Sequence, residues 1–278
     1  MKAIVHEEYG PPDVLHLKEI AKPVPGDGEV LLRVRAAGVD PGVWHLMTGL
    51  PMVIRLGSGL RAPKSLVPGG DVAGVVEEAG SNARFKPGDE VFGTCEGSFA
   101  EYAKAKENLL ARKPANVTFE QAAVVPISAT TALQALRNAG EVQAGQKVLI
   151  VGAGGGVGTY AVQLAKSFGA EVTGVCSTSK ADLVRSIGAD HVIDYTREDF
   201  ARGKKRYDLI VDLAGRRSLS HLRRALTERG TVVIIGGEGG GRWFAGVDRM
   251  LAAGVVSLFA RQRLRTPIAA VNAEDLEF

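Results

Sequence analysis

The chain has 278 residues, enough for one large or two moderate domains, each with its own hydrophobic core. Its 45% hydrophobic and 23% charged residues exclude a disordered or fibrous class. A net charge of +3 is too weak to call for nucleic acid or a membrane surface, and the basic clusters Lys204-Lys205-Arg206, Arg216-Arg217 and Arg223-Arg224 lack interleaved aromatics.

Met1 leads directly into a short alternating run with no secretory leader, and no apolar stretch approaches the ~18 residues of a membrane span. Up to about residue 112, alternating or apolar runs such as 29–36 and 71–77 are separated by Pro and Gly turns, so this part reads as mainly β. Pro87-Gly88-Asp89 predicts a turn before a strand at 90–93, and 98–103 supplies another; the spacing suits a small barrel. At Thr118 the pattern changes. Thr118, three residues before Gln121, forms a capping-box pair opening a helix at 121–125 that Pro126 stops. A second helix at 129–139 closes on Gly140.

From Lys147 onward, apolar runs at 147–151, 171–175, 191–194, 208–213 and 231–235 alternate with helical segments at 157–168 and 181–187. Regular alternation predicts right-handed βαβ units, hence a parallel sheet with helices on both faces. The runs 208–213 and 231–235 are almost wholly apolar, as strands buried on both faces must be. The expected fold class is α/β, with a first domain at 1–117 and a Rossmann domain at 118–278. The apolar segment 251–259 reads as a core helix or strand.

The segment that carries chemistry is Lys147-Val-Leu-Ile-Val-Gly152-Ala153-Gly154-Gly155-Gly156-Val157-Gly158, a strand, a glycine turn and the start of a helix. Aligned to GxGxxG, its three positions are Ala153, Gly155 and Gly158. They serve the tight turn, the approach of a pyrophosphate to the backbone, and helix–strand packing. Phosphate then meets the free N–H groups of a helix starting near Val157, so Gly156 and Val157 join the cofactor-binding set. At the end of the second strand, where an acid would bond the ribose diol of NAD, the chain carries Cys176. Ser177, Ser179 and Lys180 follow, offering hydroxyl donors and a cation to a 2′-phosphate, so the pocket reads as one for NADPH. The plainer alternative is that these residues cap the next helix.

Several ordered motifs extend the reading: 1–5, Pro68-Gly-Gly-Asp-Val-Ala-Gly-Val-Val76, Phe85-Lys-Pro-Gly-Asp-Glu-Val-Phe-Gly93, Gly97-Ser-Phe-Ala-Glu-Tyr102 and Thr131-Ala132. With the glycine loop, they resemble the medium-chain dehydrogenase/reductase superfamily, and within it the zinc-free quinone oxidoreductases that include zeta-crystallin. The resemblance implies a GroES-like β-barrel domain, a Rossmann domain and a homodimer. It also implies an NADPH-dependent reductase of quinones or α,β-unsaturated carbonyls. Zinc members of the superfamily use a Cys after the Ala-Ala-Gly turn and a His-Glu pair in a later motif. Here the places hold Ala36-Ala37-Gly38-Val39-Asp40 and Gly69-Gly70-Asp71, so no tetrahedral site is expected. Cys95 and Cys176, far apart and without a CxxC pair, indicate neither a disulfide framework nor a metal site and suit a reducing cytoplasm.

By the same resemblance Asp40 and His45 stand at the catalytic cleft, with a turn-capping role for Asp40 and a structural role for His45 as the plainer readings. Thr131 is matched to a nicotinamide contact, with a helix-surface hydroxyl as its alternative. Tyr195 is matched to the adenosine phosphate, with strand-end packing as its alternative. Ala214 and Gly236, after two later strands, complete the expected cofactor set. Relatives continue with a segment that returns to the barrel, and 270–278 looks like the start of that return, cut short. The competing functions are an NADPH-binding sensor or structural protein with little turnover, and an alcohol dehydrogenase.

Overall fold

In a computed structural model, residues 1–236, 241, 243 and 246–278 are described. The chain divides into two compact units, Met1–Thr130 with Ala270–Phe278, and Thr131–Ala269. The change of period in the sequence lies earlier, at 117/118, and by pattern alone residues 270–278 go with the second domain.

The first unit opens with an antiparallel pair, β1 (Lys2–Val5) and β2 (His16–Glu19). Next come β3 (Glu29–Ala37), α1 (Pro41–Thr48), α2 (Arg55–Ser58), β4 (Asp71–Ala79), β5 (Glu90–Thr94), β6 (Tyr102–Lys106) and β7 (Leu110–Arg112). These strands pair in the order β6-β3-β4-β5-β7, every neighbour antiparallel. The alternation of apolar residues becomes one packed face: Val30, Leu32, Val72, Val76, Val91, Ala105 and Leu110 form a core with Phe85.

The capping box forms as expected. Thr118 Oγ1 accepts from the Gln121 amide at 3.2 Å, and the Thr118 amide donates to Gln121 Oε1 at 2.9 Å. The helix it opens is α3 (Phe119–Ala122), one turn long. Pro126 does not stop a helix but begins one, α4 (Pro126–Leu133). A proline at the first helical position loses nothing, because that N–H has no intrahelical acceptor. Residues 134–139 continue as a π-helical turn ending at Gly140.

The second unit contains β8 (Lys147–Val151), α5 (Gly156–Ser167), β9 (Glu171–Cys176), α6 (Ala181–Ser186), β10 (His191–Asp194), β11 (Tyr207–Asp212), α7 (Leu219–Ala225), β12 (Leu226–Ile234), α8 (Val247–Phe259) and β13 (Arg263–Arg265). The sheet runs β10-β9-β8-β11-β12-β13, all parallel. Two cores cover its faces. One holds Val148, Ile150, Ala161, Val162 and Val211 under α5, and the other holds Leu149, Ile210, Leu222, Val232 and Ile234 under α7 and α8. The chain closes with α9 (Ala273–Glu277), which lies in the first unit, where Leu276 packs against the cluster of Ala73, Phe92, Ala111, Ala122 and Ala123. No helix among the described residues is long and apolar enough to cross a membrane.

Candidate cofactor site

The strand order reverses between β8 and β11, so the crevice at the C-terminal ends of these two strands is where a parallel α/β sheet holds a ligand. After Val151 the backbone turns sharply at Gly152 (φ 94°), a left-handed conformation that favours glycine. The amides of Gly152 and Ala153 both donate to the Val175 carbonyl at 3.0 Å, lashing the loop to β9. Ala153 is fully buried, so with its amide engaged it contributes to the loop by packing. Gly155 caps α5, leaving the amides of Gly156, Val157 and Gly158 without acceptors inside the helix, at its positive end. At Gly158 a Cβ would stand 2.1 Å from the Gly152 carbonyl oxygen, so only glycine lets the helix close on the turn.

The next rim is the end of β9. Ser177 and Ser179 hydroxyls lie 3.1 Å apart, and the Lys180 amide donates to the Ser177 carbonyl at 3.0 Å. A Cβ on Gly154 would be 2.8 Å from Lys180 Cβ, so the stem of Lys180 lies over the glycine loop. Tyr195, half exposed, donates its amide to the Cys176 carbonyl at 3.1 Å and thus stands beside the same turn. Burial, and then the charge of Asp194, push the Cys176 thiol up, which keeps it protonated and unreactive.

Ala214 and Gly236 meet at the ends of β11 and β12. The missing side chain of Gly152 faces the Ala214 amide at 3.4 Å, and a Cβ on Gly236 would be 1.9 Å from the Leu213 carbonyl oxygen. Behind them Asp212 is fully buried, accepting from the Gly215 amide at 3.2 Å and from Arg249 Nη2. This ion pair was not read from the sequence: Asp212 ends an apolar run like any strand-terminal acid, and nothing ties it to Arg249 across the intervening residues. Thr131 is buried in α4. A dinucleotide fits what the unit provides: helix-end amides at the positive end of α5 and glycines where a side chain would obstruct.

In the first unit, Asp40 is the N-cap of α1, its Oδ1 accepting from the amides of Gly42 at 2.5 Å and Val43 at 3.2 Å. Its Oδ2 is buried with no hydrogen-bond partner among the described residues. His45 bonds through Nδ1 to the Leu50 carbonyl at 2.7 Å and sets its ring edge-on to Trp44. A carbonyl partner assigns the proton to Nδ1 and leaves Nε2 for exchange. Sequence reasoning gave no role to Asp71, yet it is 2% exposed and accepts from the Ile127 amide at 3.2 Å. Burial, then the negative charge of Asp40, push its carboxyl up to about 7. Cys95, beside it, is pushed up to about 12 by burial and by the Asp71 charge.

Two family models match, the alcohol dehydrogenase GroES-like domain over residues 26–115 and the zinc-binding dehydrogenase over residues 156–255. Human quinone oxidoreductase is 36% identical over 251 residues, which cover 86% of this chain and 74% of that one. The chain belongs to the medium-chain dehydrogenase/reductase superfamily, in its quinone oxidoreductase group.

Within that superfamily, the 2-methylene-furan-3-one reductase of Solanum lycopersicum is 37% identical over 253 residues, covering 85% of this chain and 62% of that protein. The chloroplastic NADPH-dependent alkenal/one oxidoreductase of Arabidopsis thaliana is 38% identical, covering 85% and 63%. The chain thus spans less than two thirds of the length of these two plant relatives. Among solved structures, the Coxiella burnetii quinone oxidoreductase superposes with a TM-score of 0.81 at 30% identity over 100% of this chain and 85% of that one. A mycobacterial protein in complex with NADPH gives a TM-score of 0.80 at 28% identity over the same shares. One superfamily model carries zinc in its name; among the described residues here, no group of three or more His, Cys, Asp or Glu side chains is placed to hold a metal ion.

Proposed function

We propose that this chain is a zinc-independent oxidoreductase that reduces a quinone or an α,β-unsaturated carbonyl compound with NADPH. The observation that carries the reading is the β9 turn, where Cys176 stands in place of a diol-binding acid, Ser177, Ser179 and Lys180 follow it, and the Lys180 stem lies over Gly154. The names of the human, tomato and Arabidopsis relatives support the acceptor class. The name of the Arabidopsis relative and the mycobacterial complex support the cofactor.

When bound, NADPH supplies a hydride from C4 of its nicotinamide to an electron-poor carbon, and an acceptor already activated by conjugation needs no Lewis acid for that transfer. The chain's own residues bind and orient. The amides of Gly156, Val157 and Gly158 receive the pyrophosphate, with Gly155 and Ala153 shaping the turn; Ser177, Ser179, Lys180 and Tyr195 receive the 2′-phosphate; Thr131, Ala214 and Gly236 line the nicotinamide end. In this reading His45 is the candidate proton donor to the acceptor, and Asp40 caps α1, which carries it. The zinc-free reading rests on Asp40 and Gly70 at positions where zinc members use Cys and His. The free thiols Cys95 and Cys176 suit a reducing cytoplasm, and a homodimer through α8 and the β13 edge completes the reading.

The test is steady-state NADPH oxidation against a panel of quinones, enals, enones and aldehydes, with NADH in parallel. Turnover on quinones or enones with NADPH preferred is the expected result. Tight NADPH binding without turnover on any acceptor would assign the chain to the sensor class instead. Lys180→Ala should lower NADPH affinity about tenfold, the loss of one charge-assisted phosphate contact, and leave NADH affinity unchanged.

A further inference from the structure

One acid stands beside the phosphate turn without a part in it so far. Asp194 is the last residue of β10, in register with Cys176, the last of β9. Its side chain is 14% exposed and its two oxygens are crowded with donors. Oδ2 accepts from Thr178 Oγ1 at 2.5 Å. Oδ1 accepts from the Thr196 amide at 2.9 Å and from the Thr196 hydroxyl at 2.7 Å. Arg197 Nε lies 3.6 Å from Oδ2. The hydroxyl of Thr178, then those around it, hold this carboxyl below the usual carboxylate range, so it is ionised at neutral pH.

Thr178 sits between Ser177 and Ser179 and two residues before Lys180, in a three-residue 3₁₀ turn. Such a turn has few bonds of its own, and Thr178, Ser179 and Lys180 are all exposed. Its lateral tie to the end of β10 is the Thr178 hydroxyl, which donates to Asp194 and lies 3.4 Å from the Thr196 hydroxyl. We propose that Asp194 is a positioning residue for cofactor choice: by clamping Thr178 it aims Ser177, Ser179 and Lys180 at the 2′-phosphate of NADPH. This inference rests on the NADPH reading above and deepens it.

Two effects of this carboxylate oppose each other. As a bare charge it repels a phosphate; as a hydrogen-bond hub it orders the donors that bind one. The geometry favours the second effect. Both oxygens are engaged and a guanidinium stands beside them, so the charge is offset locally and the carboxylate lone pairs are taken by protein donors rather than left for a ribose diol. An acid near the end of the second strand thus does not make this an NAD site.

The experiment measures dissociation constants for NADPH and NADH by fluorescence titration, with melting temperatures, for the full chain and for Thr178→Val, Thr178→Ser and Asp194→Asn. Wild type should prefer NADPH. Thr178→Val, which removes the bond and leaves every charge, should weaken NADPH about fivefold with NADH and melting temperature unchanged, and Thr178→Ser should restore the wild-type ratio. Asp194→Asn should also weaken NADPH. Tighter NADPH binding by Asp194→Asn, or unchanged ratios in Thr178→Val, would overturn the inference while leaving the NADPH reading intact. A wild type without NADPH preference would overturn both.

Discussion

Asp71 ties the chemistry of the first unit to its stability. Its carboxyl is pushed up to about 7 by burial and by Asp40, against 3.8 for the ordinary group. Between these two values the folded chain holds a proton that the unfolded chain has released, so the folded state loses stability as pH rises from about 4 through about 7. The loss amounts to a few kcal/mol, since each tenfold change in proton affinity is about 1.4 kcal/mol. Asp71→Asn keeps an oxygen for the Ile127 amide and removes the charge. Urea denaturation should show the variant no more stable than wild type at pH 4 and more stable by a few kcal/mol at pH 8. Equal stabilities at pH 8 would show that Asp71 is ionised at no cost. At Gly158 the prediction concerns binding: the Cβ of Gly158→Ala would sit 2.1 Å from the Gly152 oxygen, so α5 must retreat from the turn. NADPH affinity should fall by at least about tenfold in a titration, as the helix-end amides move out of line. Gly158 was legible in the sequence because a spacing motif marks it. Asp71 was not, because its pKa depends on Asp40 and on the Ile127 amide, which only the fold brings to it.

Among the elements, those governed by local chemistry could be read to the residue. The strands Lys147–Val151 and His191–Asp194 have the expected bounds, since an apolar run between polar turns fixes both ends. Where local signals had two meanings the reading went astray: Pro126 is compatible with a helix stop and with a helix start, and it starts α4. Leu226–Ile234 begins earlier than the expected 231–235 run because Leu226 pairs with Tyr207 of β11, and the polar residues 227–229 fall in the register shift before Thr231 pairs with Leu209. Arg263–Arg265 and Ala273–Glu277 are too short to show a period. The Thr118 box was legible, and its weight is testable. It anchors α3, whose Ala122 packs with Ala73 and Phe92. Thr118→Ala leaves the Gln121 amide uncapped and should cost about 1 kcal/mol, read as a lower melting temperature with cofactor affinity unchanged.

At the scale of the whole molecule, the change of period separates a β-rich part from a βαβ part, and the proposed cofactor residues from Ala153 to Gly236 lie within one contiguous α/β pattern, with Thr131 ahead of it. The boundary was less legible because α4 gives no turn or composition change at Thr130; Ala270–Phe278 lies in the first unit, where Leu276 packs, as the resemblance implied for a returning segment although no local pattern of its own announces it. Assembly is the remaining question at this scale. Leu251, Val255 and Phe259 are 70%, 59% and 88% exposed on α8, and spacing by four puts them on one face. Next to α8, β13 is the edge strand of the six-stranded sheet, with one partner, β12. A bare apolar stripe and an open parallel edge are both liabilities in a lone chain, and a two-fold pairing of copies covers them together. Light scattering should therefore give a dimer mass. Phe259→Glu should shift it toward the monomer while NADPH affinity stays within about twofold, because none of the proposed cofactor residues lies on this stripe. A monomeric wild type would show that the stripe is simply solvated.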